Sequence, residues 1–354
     1  MREFEKEARE RLPQMVYDYY AGGAGDEITL RENELAWGRR RLRPRVLVDV
    51  SACDARTTVF GEPLSMPLMT APCALNSLAH PDGELAVARA TAAAGILQVV
   101  SSLSSHRMEE ISAVSEGAGG RLWFQLYCYR DRGITRELVQ RAEAARYAAV
   151  CVTVDVPRPG TRERDTRNRF QVPPEIRVAN LAHQVPSSDQ GSALLKYVGE
   201  QLDPGLTWDS IDWLRGLTRL PVVLKGILTA EDAALALAHG AAGIVVSNHG
   251  GRQLDTAVAT CDALPEIAAA AQGTAEVFVD GGIRRGTDVL KAVALGARAA
   301  LIGRPYLWGL AVEGETGVRR VIELLREELL LSMALSGCAS VGDIKASLVA
   351  REAR

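Results

Sequence analysis

Short apolar runs rich in β-branched residues alternate along this chain with alanine-rich stretches whose apolar positions repeat at helical spacing. Eight runs stand out, at 66–72, 97–102, 122–127, 149–155, 221–226, 243–248, 276–282 and 299–304. Each is nearly continuous in its apolar character, the mark of a parallel strand covered on both faces. Between them lie segments such as GELAVARATAAAG, RELVQRAEAARY, AEDAALALAHG and GTDVLKAVALG. Several begin at Thr or Asp and stop at Gly, as capped helices do. Eight such units predict an α/β fold, a closed (β/α)8 or TIM barrel in preference to an open doubly wound sheet.

Two regions break the alternation. Residues 1–65 precede the first strand and read as helical, then loop-like. Residues 156–207 form a long polar insertion after the fourth strand, rich in Pro, Arg, Ser and Gln. A loop of that length in a compact protein usually carries function, and this one has no apolar anchor for a membrane. With 354 residues, the chain suits one barrel with additions, so 1–354 is expected to be a single domain.

Composition narrows the options further. An apolar share of 47% supports a large core. A net charge of −3 offers no reason to expect nucleic acid or an anionic membrane as partner. Cys53, Cys73, Cys128, Cys151, Cys261 and Cys338 form no CxxC pair and read as free thiols of a reducing compartment, with no metal expected. The first residues, MREFEKEARERLPQ, lack the apolar core of a signal peptide. No apolar run reaches the roughly 18 residues of a membrane span, and LVAREAR carries no peroxisomal tripeptide. A soluble cytoplasmic protein is the expectation.

In such a barrel the chemistry gathers where the strands end. Those ends hold Ala71-Pro72, Ser101-Ser102, Gln125, Tyr127, Thr153, Asp155, Lys225, Ser247 to His249, Asp280 to Gly282 and Gly303-Arg304. DGGIRRG and IGRP, after strands seven and eight, suit a phosphate: glycines let backbone N–H groups approach, and Arg284 and Arg304 can neutralise it. AGGAGDE, at 21–27, lacks the Gly-Lys-Ser/Thr of a P-loop and reads as a turn. Lys225 closes an apolar strand, either as a Schiff-base lysine or as a fixed cation beside developing negative charge. In VVSNHGGRQLD, the Arg252 fork can grip a carboxylate while a neutral His249 removes a proton from the adjacent carbon or its hydroxyl. Asp155 can hold that imidazole and stabilise its charged form.

VSNHGGRQLD, DGGIRRGTDV, FQLYCYRD, TVDVPRPGTRERD, VVLKGILTAEDA, APCALNSLAHPDGE and LPQMVYDYYAGGAGDE resemble the FMN-dependent 2-hydroxy acid oxidase and dehydrogenase family. The likeness runs from about residue 10 to about residue 345. It implies FMN as cofactor and oxidation of an (S)-2-hydroxy acid to the 2-oxo acid, with O2 accepting the electrons to give hydrogen peroxide. A soluble dehydrogenase with another acceptor is the alternative, and a barrel aldolase or isomerase working through Lys225 a more distant one. The resemblance also implies a homotetramer, in which the segment VIELLREELLLSMALSG could pack against a neighbour.

Carried over by position, His249 would be the base and Asp155 its partner. Arg252 and Arg162 would bind the substrate carboxylate, and Tyr19 and Tyr127 its carboxylate or hydroxyl. Pro72, Cys73 and Ala74 would lie against the FMN ring, with Ser101, Gln125 and Thr153 at its polar edge. Lys225 would counter negative charge on the ring, and Ser247 would also touch the cofactor. The phosphate would rest on Asp280, Gly281, Gly282, Ile283 and Arg284 and on Gly303 and Arg304, with acidic Asp280 turned to the ribityl hydroxyls. Leu103 stands where glycolate-oxidising members carry a tryptophan. The room it leaves favours side chains larger than glycolate's, of mandelate type or medium length, at about 1–3 kcal/mol of discrimination per methylene.

Overall fold

The computed structural model describes residues 1–181, 199–271 and 273–350. Strands β1 (Thr57–Val59) and β2 (Glu62–Leu64) form a short antiparallel hairpin. The eight predicted runs become β3 (Leu68–Thr70), β4 (Leu97–Ser101), β5 (Leu122–Leu126), β6 (Ala149–Thr153), β7 (Val222–Ile227), β8 (Gly243–Val246), β9 (Glu276–Val279) and β10 (Ala299–Ile302). They pair in parallel and close a barrel in the order β10-β3-β4-β5-β6-β7-β8-β9. Most strands stop one to three residues before the apolar runs do. The residues just past several strands, Ala71, Ser102 and Val154 among them, still donate one bond to the neighbouring strand.

Alternation along each strand builds two cores. Val99, Trp123, Cys151, Val223, Val245 and Phe278 fill the barrel interior. Their sequence neighbours Val100, Phe124, Val150, Val152 and Ile244 face outward under the helices. The helices start where the sequence signals a cap: the Asp131 side chain accepts from Gly133 N–H ahead of Arg132–Ala144, and Thr229 accepts from Asp232 N–H ahead of Ala230–Ala238.

The reading of residues 1–65 as helix and then loop needs one correction. Helices Arg2–Arg11, Gln14–Ala21 and Ile28–Arg39 are followed by the β1–β2 hairpin, whose three-residue strands are too short to show a period. Phe60 (φ 50°) and Gly61 (φ 79°) form its two-residue turn, both left-handed as a hairpin's twist prefers. Phe60 stacks on Trp123 at 5.2 Å and meets Phe278 edge-on at 6.0 Å, so the hairpin plugs the amino-terminal end of the barrel.

Among the described residues of the insertion after β6 are a short helix, Glu163–Arg167, and a 3-10 turn, Ala179–Leu181. Positions 182–198 of the predicted 156–207 insertion lie outside the described residues. The segment expected to face a neighbour belongs to the helix Arg304–Leu335; it buries Val321, Ile322, Leu325 and Leu329 within its own chain and leaves Leu331 and Leu335 exposed. Among the described residues no helix is long and apolar enough to cross a membrane.

Candidate active site

One cavity opens at the carboxyl ends of the strands, and His249 stands on its wall. After β8 the chain passes through three successive left-handed residues, His249 (φ 58°), Gly250 (φ 64°) and Gly251 (φ 75°). Glycine takes this conformation freely, whereas a residue with a Cβ is disfavoured by roughly 1–2 kcal/mol. The surroundings hold the strained histidine in place. Its N–H donates to Ser247 Oγ at 3.1 Å, and the amides of Asn248 and Asn33 bond each other twice at 2.8 Å. Gly251 N–H closes back on Asn248 Oδ1 at 3.1 Å.

Asp155 lies 3.0 Å from His249 Nδ1 through Oδ1, which leaves Nε2 for the cavity. Its other oxygen, Oδ2, is buried without a partner among the described residues. The approach depends on Gly226, where β7 and β8 slip register: a Cβ there would sit 2.6 Å from the Asp155 Cβ. Burial pushes the Asp155 carboxyl up, but His249 and Lys225 beside it outweigh that and hold it below the usual carboxylate range.

Lys225 donates to Ser247 Oγ at 2.7 Å and pairs with Asp280 Oδ2 at 3.1 Å. Burial alone would lower its pKa; Asp280 and Asp155 raise it above the ordinary lysine value, so it is a fixed ammonium. Asp280 Oδ1 is likewise buried without a partner among the described residues. Guanidiniums crowd the same cavity. Arg252 spends Nη1 on the carbonyls of Tyr19 (2.7 Å) and Gly22 (2.9 Å). Arg304 reaches the carbonyls of Tyr20, Gly22 and Gly250. Burial and then the neighbouring Arg252 and Arg284 push Arg304 down to about 9, and burial and then Arg162 lower Arg252. Arg162 pairs with Asp165 at 2.6 Å, whereas Arg252 and Arg304 have no carboxylate partner among the described residues. Tyr127 and Tyr19 are raised, first of all by burial, and remain protonated donors.

The cavity wall brings together most of the residues singled out in the sequence: Tyr19, Tyr127, Arg162, Arg252, Leu103, Pro72, Cys73, Ala74, Ser101, Lys225, Asp280 to Arg284, Gly303 and Arg304. Gln125, Thr153, Ser247 and Asp155 stand one layer behind. Gln125 accepts from Ser101 Oγ at 3.2 Å and donates to Thr153 Oγ1 at 2.9 Å, a polar ladder across β4, β5 and β6. Gly303 caps the helix that begins at Arg304, which brings that helix start to the cavity; Pro305 has no N–H, and those of Tyr306 and Leu307 bond the Gly303 carbonyl. Arg284 is less available than its motif implied, because its guanidinium pairs with Glu34 at 2.8 Å.

Other participants escaped sequence reading. The segment 21–27 is more than a turn: Ala24 N–H bonds Gly251 O and Gly25 N–H bonds Thr161 O, which joins the amino-terminal helices to two site loops. Phe170, from the insertion, stacks on Tyr19 at 4.4 Å. Val156, Pro159, Leu202 and Gln253 also line the cavity. Val156, Pro159, Phe170 and Leu202 belong to the insertion expected to carry function, and Gln253 stands beside Arg252 in the HGGRQ run, but none was singled out by type.

The profile for FMN-dependent dehydrogenases matches residues 8–351. L-lactate oxidase of a Nostoc species is 54% identical over 352 residues, covering 98% of this chain and 96% of that protein. Glycolate oxidase of Spinacia oleracea is 50% identical over 355 residues, covering 99% and 95%. The crystal structure of mandelate oxidase superposes with a TM-score of 0.91 at 47% identity, covering 99% of this chain and 97% of that one.

Proposed function

The chain belongs to the FMN-dependent dehydrogenase family, and on that basis we propose that it oxidises (S)-2-hydroxy acids larger than glycolate and passes the electrons to dioxygen, giving hydrogen peroxide. Its cofactor is FMN, which when bound supplies the acceptor for two electrons. The cavity suits that group. Asp280 Oδ1 is a buried acceptor awaiting a hydroxyl donor such as those of the ribityl chain. The guanidiniums and the helix start at Gly303 suit the phosphate, and Arg304, unlike Arg284, has no carboxylate partner among the described residues. Pro72, Cys73 and Ala74 would flank the ring, and Ser101, Gln125, Thr153 and Ser247 would serve its polar edge.

The observation that carries the reading is the His249–Asp155 pair facing one cavity with Arg252 and Arg162. Arg252 and Arg162 hold the substrate carboxylate, while Tyr127 and Tyr19 donate to its oxygens. His249 Nε2 then takes a proton, and ionised Asp155 fixes the tautomer and stabilises the imidazolium. Lys225 sets a permanent positive charge beside the place where negative charge arrives. A covalent role for Lys225 does not fit, because an ammonium held above its usual pKa is no nucleophile. Leu103, Val156 and Leu202 supply apolar walls, which supports mandelate-type or medium-chain acids. Residues 1–354 act as one unit in this reading, since the amino-terminal helices contribute Tyr19 and the insertion contributes Arg162.

Anaerobic titration with glycolate, lactate, 2-hydroxyoctanoate and both mandelate enantiomers, followed at the flavin band, tests it. An (S)-acid larger than glycolate should bleach the band most readily, and air should restore it with release of peroxide. A bound flavin that no acid bleaches rejects the roles of His249 and Arg252. Bleaching without recovery in air replaces dioxygen by another acceptor. The same reading takes the protein to be a cytoplasmic homotetramer, and the exposed ridge Val46, Leu47 and Val48 supports a subunit contact. Light scattering should give four times the 38.1 kDa chain mass.

A further inference from the structure

One side chain of the HGGRQ run has no task in this scheme. Gln253 borders the cavity, yet its amide is spent elsewhere. Nε2 donates to the carbonyls of Asp155 (2.9 Å) and Arg158 (3.0 Å), and Oε1 accepts the Gly160 N–H (3.0 Å). Both donors and the acceptor of the amide thus bond backbone groups in one six-residue stretch at the root of the insertion. The two backbones also touch: a Cβ on Gly160 would collide with the Arg252 carbonyl and lie 2.8 Å from the Gln253 Cα.

The position of this clamp matters. The ladder between β6 and β7 ends where Val154 N–H donates to Lys225 O at 2.9 Å. Asp155 is the next residue, past the last sheet hydrogen bond and at the start of a long loop. Among the described residues its carboxylate bonds one other side chain, His249, through Oδ1, and Oδ2 has no partner. A carboxylate held by one side-chain bond keeps its place only if its backbone is held, and the Gln253 amide takes over where the sheet stops.

We propose that Gln253 is a positioning residue: by tying the backbone of 155–160 to the His249 loop, it keeps the Asp155 carboxylate on the imidazole during proton transfer. This rests on the roles proposed for His249 and Asp155. Gln253 itself touches neither the substrate nor the reacting atoms in this scheme.

Two variants separate a clamp from a space-filler. Gln253→Met keeps length and bulk but removes all three bonds. Gln253→Glu keeps the acceptor for Gly160 and loses both donors. Each should bind FMN to the wild-type level and bleach roughly 10- to 100-fold more slowly at saturating 2-hydroxy acid, the scale of a misplaced catalytic group. The half-saturating concentration should stay within about threefold of wild type, because Arg252 and Arg162 are untouched. Hydrogen exchange at the Gly160 amide, measured in the same proteins, should speed up in Gln253→Met. In an Asp155→Asn background the added loss from Gln253→Met should shrink to under about twofold, as expected for residues that act through each other.

A Gln253→Met enzyme as fast as wild type overturns the proposal. So do losses that multiply in full with Asp155→Asn, and so does FMN lost in step with the rate, which would make Gln253 a support of the cofactor cavity. If Gln253→Met does not fold, Gln253→Glu decides on the same readouts. A wild type that no 2-hydroxy acid bleaches rejects the proposed function; an active wild type with unimpaired variants rejects only the clamp.

Discussion

At the amino-terminal end of the barrel, Trp123 lies between Phe60, stacked at 5.2 Å, and Phe278, edge-on at 5.2 Å, in an apolar plug. At the carboxyl end of the same strands, Lys225 is buried against Asp280, Asp155 Oδ2 and Asp280 Oδ1 have no partner among the described residues, and His249 is held in a left-handed conformation. The first end is closed by packed aromatic rings. The second is strained, and among the described residues it is electrostatically incomplete. Stability and chemistry are therefore separated along the strand axis, which lets the site carry its costs without unfolding the barrel.

The largest effect expected at the working end is from His249→Asn. Asparagine accepts the left-handed backbone, so the melting temperature should hold while the bleaching rate falls about 10²–10⁴-fold, the usual worth of a general base. A parallel fall in melting temperature would mean that the two ends are not separable. The mirror experiment is Trp123→Ala, which should cost about 3–5 kcal/mol in chemical denaturation while the folded holoprotein keeps its turnover. Turnover lost at a temperature where the variant is folded would break the comparison from the other side.

Smaller changes sharpen it. Leu103→Trp should refill the pocket and shift the ratio of kcat/KM toward glycolate, away from mandelate-type acids, by about 1–3 kcal/mol or 10–200-fold. An unchanged ratio would move the side-chain pocket away from Leu103. The smallest effect is the acid dependence of Asp155, whose folded pKa lies below its unfolded value of about 3.9. Such a group stabilises the fold fully above the unfolded value and loses that contribution as pH falls through the folded one. The stability gap between wild type and Asp155→Asn should thus be flat above about pH 5 and close only below about pH 4. A gap that closes near neutrality would show that another group governs it.

Much of this was legible along the chain. All eight barrel strands were readable because apolar runs and helical spacing report on the segment that bears them. The carboxyl-end rule marks His249, Lys225, Asp280 and Arg304 from their positions alone. The hairpin plug was not readable, since three-residue strands have no measurable period. Nor was the diversion of Arg284 to Glu34, because a motif names a side chain's capability and not its partner.

The sequence by itself determined the barrel, its apolar interior and the residue types at its mouth, since each depends on patterns within a few turns or strands. Only the tertiary structure decided which of those groups meet. Asn33 reaches Asn248 across 215 residues, Gln253 reaches Asp155 across 98, and Arg252 reaches the Tyr19 carbonyl across 233. Such contacts leave no periodic trace in either partner, because loop closure and packing against third elements set them.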